Sequence, residues 1–288
     1  SIGGIGDVAG SVSFGSSAAA GAVNGAANAG TSMTLAEGLN ADTSISVKSD
    51  ASLSGLATTD ASADATTTAG AATANALSTT INGADLSSST VDIGGIGSIA
   101  GQANFSNAAT SSNVSSTSSA TASNDFGNGL IGGTSIDVSS DATLTGMAIG
   151  SLGADASSTA GTATANAGQS DSAVGAVLPS LTVGGIGNIT GAAQLDSSAD
   201  ALSVSGLSVA DAGLGQTVTG LDAADIDVAS DASLTAQGFS NLDASATSTA
   251  GLASADAGDQ SSMVTGLASG LDLDIGGIGN LAATAQGT

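Results

Sequence analysis

Three Ser-Asp pairs, Ser49-Asp50, Ser140-Asp141 and Ser230-Asp231, recur at spacings of 91 and 90 residues. If such a repeat stacks, Asp50, Asp141 and Asp231 fall into one column of neighbouring carboxylates. Like charges that close need a cation between them or a raised pKa, so the column is a candidate for loose binding of a divalent cation such as Ca2+. Asp225-x-Asp227 and Asp272-x-Asp274 add acids near later repeats. The competing reading places each Asp in a solvated turn, where its carboxylate accepts bonds from backbone N–H groups.

Other chemistries find less support. Asp42-Thr43-Ser44 resembles one half of an aspartic-protease site, which needs two carboxylates sharing a proton, but the aligned positions carry Gly133-Thr134-Ser135 and a displaced Asp225. The chain has no His, Arg, Cys, Trp or Tyr, and its one basic residue, Lys48, aligns with Ser139 and Ala229. The common acids, bases, nucleophiles and oxyanion donors are therefore missing, and the expectation is that the protein is not an enzyme. Thr66-x-Thr68, aligned with Ser157-x-Thr159 and Thr247-x-Thr249, resembles the hydroxyl-methyl rows of ice-binding β-solenoids. Asn113-Val114-Ser115 and Asn188-Ile189-Thr190 fit the glycosylation acceptor pattern at a frequency that chance explains in so Asn- and Ser-rich a chain.

The elements that would position these residues are set by a second phrase. Ile2-Gly3-Gly4-Ile5-Gly6 returns as Ile93-Gly94-Gly95-Ile96-Gly97, Val183-Gly184-Gly185-Ile186-Gly187 and Ile275-Gly276-Gly277-Ile278-Gly279, at spacings of 91, 90 and 92 residues. It reads as a corner between two strands, with its aliphatic side chains turned inward on either side. The GGxGxDxUx calcium repeat of repeats-in-toxin proteins is similar, but here Val8, Ile99, Ile189 and Leu281 stand where its Asp belongs, and the period is tenfold longer. The domain reading is repeat one over 1–91, repeat two over 92–182, repeat three over 183–274 and a partial fourth, the assembly stub, over 275–288. A weaker half-period of about 45 residues shows in Ala74-Asn75-Ala76, Ala165-Asn166-Ala167 and Ala210-Asp211-Ala212, and the sequence leaves open whether a layer holds 45 or 90 residues.

Composition narrows the partners. A net charge of -24 with a single Lys disfavours nucleic acid and anionic membrane surfaces, and no apolar run is long enough to span a bilayer as a helix. Four Phe and a wealth of Ala, Gly, Ser and Thr give no large aromatic core. Stacked sheets with close small-residue packing suit this composition better than an ordinary globule. Alternation confirms the strand period: Ala72, Ala74 and Ala76 form a smooth face opposite Thr73 and Asn75. Ile81-Asn82-Gly83 and Asp125-Phe126-Gly127-Asn128-Gly129 read as turns joining short strands.

These features predict an all-β chain, a β-solenoid or serpentine stacked sheet. Tandem imperfect repeats of small residues with Gly corners look like the extracellular amyloid-like fibre subunits of bacteria, such as curli and Fap fibres. That resemblance implies a secreted structural subunit of a biofilm, sheath or surface filament, with self as its partner and no cofactor beyond a loosely held Ca2+. The curli phrase of spaced Ser, Gln, Gly, Asn and Gln is absent, so no functional residue carries over. The start at Ser1, in phase with the repeat, suits a mature exported product. The open phrases at Ile2, Gly3 and Gly4 and at Ile275, Gly276, Gly277 and Ile278 are the expected assembly contacts, joining copies head to tail. The alternatives are an ice-binding or adhesive β-solenoid and a calcium-dependent binding module.

Overall fold

A computed structural model describes residues 1–168, 171–258, 262–268 and 270–288. The chain winds as a parallel β-solenoid. Its first turn consists of β1 (Gly6–Asn24), β2 (Ala27–Asn40) and β3 (Ile45–Val47), and its second of β4 (Ala51–Ala69), β5 (Ala72–Asp85) and β6 (Thr90–Ile93). The third holds β7 (Gly97–Asn113), β8 (Ser118–Ile131) and β9 (Ser135–Val138); the fourth β10 (Ala142–Ala160), β11 (Ala163–Ala167) and β12 (Ser172–Val183). β13 (Gly187–Ala212) and β14 (Thr217–Val228) make the fifth, β15 (Ala232–Ala257), β16 (Met263–Leu267) and β17 (Asp272–Ile275) the sixth, and β18 (Gly279–Gly287) starts the next.

Register settles the size of a layer. Gly6 lies opposite Ala51, Ala51 opposite Gly97, Gly97 opposite Ala142, Ala142 opposite Gly187, Gly187 opposite Ala232 and Ala232 opposite Gly279, all in parallel pairs. One layer is thus 45 to 47 residues, half of the strong sequence period. The strands are also longer than the sequence suggests. Ile81-Asn82-Gly83 lies within β5 and Phe126 to Gly129 within β8, so these phrases are not turns.

The reason those strands need glycine is a close approach across the interior. Gly55 of β4 faces Gly83 of β5, and a Cβ on Gly55 would stand 2.0 Å from the Gly83 carbonyl oxygen; Gly10 with Gly38, Gly101 with Gly129 and Gly146 with Gly175 repeat the contact. Only glycine lets two backbones meet there. This waist divides the interior into two cores. One is an alanine sandwich, in which Ala57, Ala61, Ala63 and Ala65 face Ala72, Ala74 and Ala76. The other is aliphatic, built from Leu53, Leu86, Val91, Ile93 and their equivalents, and closed by the short third strands. The smooth parity of Ala72, Ala74 and Ala76 is the buried one, as the alternation predicts.

In one column of the alanine core side-chain size alternates with the two-layer period. Phe105 is buried between Thr59 of the layer before and Gly150 of the layer after, and a Cβ on Gly150 would lie 2.1 Å from the Phe105 ring. Leu195 stands on the far side of Gly150, where that Cβ would come within 2.5 Å of its Cδ1. In this column the Phe105 ring overhangs its neighbours at a strand spacing of about 4.8 Å, so they are small. In this column bulk therefore recurs every second layer, whereas in the aliphatic core Leu53, Ile99, Leu144 and Ile189 stack in successive layers.

Candidate functional site

The corners that follow the third strands carry the residues singled out from sequence. Along the axis they alternate in kind: Gly3-Gly4-Ile5, Lys48-Ser49-Asp50, Gly94-Gly95-Ile96, Ser139-Ser140-Asp141, Gly184-Gly185-Ile186, Ala229-Ser230-Asp231 and Gly276-Gly277-Ile278. Each Asp accepts a bond from the following Gly-Gly corner. Asp50 Oδ1 receives the N–H of Ile96, Asp141 Oδ1 that of Ile186 and Asp231 Oδ1 that of Ile278, each at 2.8 Å.

Backbone oxygens complete the contact. The Gly184 and Gly185 N–H groups donate to Val138 O at 2.8 Å and Ser140 O at 2.9 Å, and Gly276 and Gly277 donate likewise to Val228 O and Ser230 O. A Cβ on Gly95, Gly185 or Gly277 would lie 2.3 Å from the Asp oxygen beneath it. The second glycine of the phrase is there to leave room for a carboxylate. The first aliphatic residue points inward, with Ile93 and Val183 buried, but the second points out: Ile96 is 53% exposed and Ile186 42%. Only the first aliphatic residue of the phrase turns inward, not both as the sequence suggests.

This geometry separates Asp50, Asp141 and Asp231, because a Gly-Gly layer lies between successive Asp corners and sets them roughly 10 Å apart. Among the described residues, no three acidic groups converge as metal ligands would. The acids that do stand side by side are ones the longer period conceals: Asp92 with Asp137, Asp155 with Asp200, Asp211 with Asp256, Asp225 with Asp272 and Asp227 with Asp274. Burial, and then the charge of Asp200, raise the Asp155 carboxyl above the ordinary range; burial and Asp256 do the same to Asp211. Asp155 and Asp200 line an open groove of 320 Å³ with Thr110, Ser157 and Thr247.

The remaining sequence candidates disperse. Asp42 is exposed in the turn after β2. Ser112 and Leu202 interrupt the Thr66, Ser157 and Thr247 column, whereas the neighbouring outward positions read Val23, Thr68, Val114, Thr159, Val204 and Thr249, β-branched at every layer. Asn113 is buried and hydrogen-bonded to Gly70 O and to Thr117 O, so its side chain is not free to accept a glycan; Asn188 is exposed on β13.

A polar string inside the alanine core had no signal at a single period. Asn107 Nδ2 donates to Ser78 Oγ at 2.8 Å, Ser78 Oγ to Asn124 Oδ1 at 2.7 Å, and the Asn124 N–H and Ser123 Oγ both donate to Asp171 Oδ1. Further along, Gln216 Nε2 donates to Ser197 Oγ at 2.7 Å and Ser240 Oγ to Gln216 Oε1 at 2.9 Å. Among the described residues, Asp171 Oδ2 has no hydrogen-bond partner. Burial pushes the Asp171 carboxyl up to about 7, against the two bonds it accepts and with a smaller push from Asp125.

Fold and corner together define a parallel β-solenoid with a two-layer stacking code. No family model, curated protein or solved structure matches the chain.

Proposed function

We propose that the protein is a structural subunit of an extracellular filament, of the kind found in a biofilm matrix, sheath or surface fibre, and that it lengthens head to tail by stacking of its layers. The observation that carries this is the uniform, in-register ladder from β1 to β18 on a core whose contacts repeat from layer to layer. The chemistry-bearing side chains serve that stack: the Asp corners bind main chain, and Asn128 donates to Asn82 Oδ1 at 2.9 Å in a ladder that continues to Glu37. No catalytic role or resident cofactor is part of this reading. Cations enter it as screening partners of the paired surface carboxylates.

Electron microscopy of the purified 288-residue chain tests it. Filaments whose length grows with concentration are expected, and single particles at every concentration would overturn the reading.

A second reading, ice binding, is favoured by the outward Val and Thr column from Val23 to Thr249, with Val23 72% and Val114 48% exposed. Thermal hysteresis in dilute solution would support it, and freezing at the equilibrium point would dismiss it.

A further inference from the structure

The edge where β4 turns into β5, with the equivalent bends of the other layers, is free of charge. Residues 21–28, 66–73, 112–119, 157–164, 202–209 and 247–254 contain no Asp, Glu or Lys, in a chain of net charge -24. Its main chain is also sealed from within. The carbonyl at each bend accepts a bond from a side chain of the following layer: Gly25 O from Thr67 Oγ1 at 3.2 Å, Gly70 O from Asn113 Nδ2, Ser116 O from Ser158 Oγ at 3.0 Å, Gly161 O from Ser203 Oγ at 3.0 Å and Gly206 O from Ser248 Oγ at 2.9 Å. Thr67, Asn113, Ser158 and Ser203 are buried, so they reach these carbonyls from inside the sandwich. Turn carbonyls ordinarily bond to water; these already hold a partner, so covering the edge leaves none of them stranded. In layers two to five, each with a layer on either side, the edge presents Thr68, Val114, Thr159 and Val204, with Leu202 and Leu207 beside them. Val114 and Leu202 are 48% exposed and Val204 45%.

We propose that a second copy of this chain packs here, edge to edge, with the axes of the two stacks side by side. Charge selects the partner. The acids lie elsewhere: Asp64, Asp155 and Asp200 on one broad face, Asp211 and Asp256 on the other, and Asp92, Asp137, Asp225 and Asp227 on the third-strand side opposite the edge. A cationic partner is drawn to those faces, whereas two copies this acidic approach most easily where both are uncharged. Spacing selects the same partner. A stack with the same layer spacing, about 4.8 Å, keeps Val and Thr side chains in contact at every layer, as in the dry seams between paired stacked sheets. The contact therefore grows with each layer in register. It joins like to like and closes at a pair. It uses no residue of the Ser-Asp or Gly-Gly corners, so it is independent of head-to-tail growth. In a filament it sets two stacks side by side and doubles the mass per length of one.

A carboxylate placed in the seam of the full chain tests this. Thr159→Asp and Val114→Asp each add a charge at an exposed edge position, in different layers, and Asn188→Asp adds the same charge at an exposed position of β13 away from the edge. Sedimentation velocity over a range of concentrations reads the association, and thermal melts check each fold. The unsubstituted chain and Asn188→Asp should pair. Both edge variants should pair about a hundredfold more weakly, with unchanged melting temperature. Association that survives both edge variants, or a single species from the unsubstituted chain at every concentration, would overturn the pairing. In the latter case, thermal hysteresis abolished by Thr159→Asp would assign the edge to ice instead. Filaments one stack wide by electron microscopy would likewise overturn the pairing and leave the filament reading standing; pairs without filaments would do the reverse.

Discussion

At the scale of single residues, the organising contact is a carboxylate seated on a glycine. Gly185→Ala should cost about 1 to 3 kcal/mol, because its methyl overlaps Asp141 Oδ1, whereas Gly4→Ala should cost nothing measurable in the single chain; denaturant melts of the two proteins make the comparison. The phrases Ser-Asp and Gly-Gly-Ile-Gly were both legible in the sequence. Their pairing was not, since each recurs with its own kind at about 90 residues and meets the other at about 45. Asp171 was illegible for a different reason: its partners Ser123 and Asn124 lie one layer back, 48 and 47 residues earlier, where no local pattern links them to it. Its carboxyl is protonated more readily in the fold, at about 7, than at the ordinary 3.8. The stability it contributes is therefore complete below pH 3.8 and is lost as pH rises through 7. Asp171→Asn should flatten that part of the stability profile. Thermal melts between pH 4 and 8, roughly spanning the two values, would show a parallel pair of curves if the residue titrates normally.

At the scale of elements, strand parity and the all-β class followed from alternation, because alternating side chains face opposite sides of a sheet whatever it packs against. Strand length did not. Gly83 and Gly129 look like turn-formers, yet they lie in strands and serve the waist, a contact between residues distant in sequence that no local pattern reports. The corner before β5 does use glycine for its backbone: Gly70 and Gly161 hold φ of 122° and 144°, and a Cβ on Gly161 would strike Ser116 O at 1.9 Å. Gly161→Val should accordingly lower the melting temperature far more than Asn166→Val on the outer face of β11. Size alternation within a column gives a second test. Gly150→Leu should destabilise by about 1 to 3 kcal/mol, and Phe105→Ala by about 3 to 5 kcal/mol. The double variant should cost clearly less than the sum, since the new Leu fills the space the ring leaves. Strict additivity in a double-mutant cycle would mean that the two side chains do not share one site.

At the scale of the whole molecule, a single chain supplies six stacked layers instead of lying flat in one. That distinction, between a solenoid and a serpentine amyloid layer, could not be drawn from composition or repeat length, because both architectures stack parallel strands about 4.8 Å apart. Acidity is compatible with the stack because paired carboxylates such as Asp92 with Asp137 and Asp227 with Asp274 lie on outward positions, where water and counterions screen them. The measurement that decides most directly is mass per unit length of the assembled rods by scanning transmission electron microscopy. Six layers rise roughly 29 Å, so a single-start rod of 26.3 kDa chains should carry about 0.9 kDa per Å. A value near 5.5 kDa per Å, about sixfold higher, would place each chain in a single layer and contradict the solenoid.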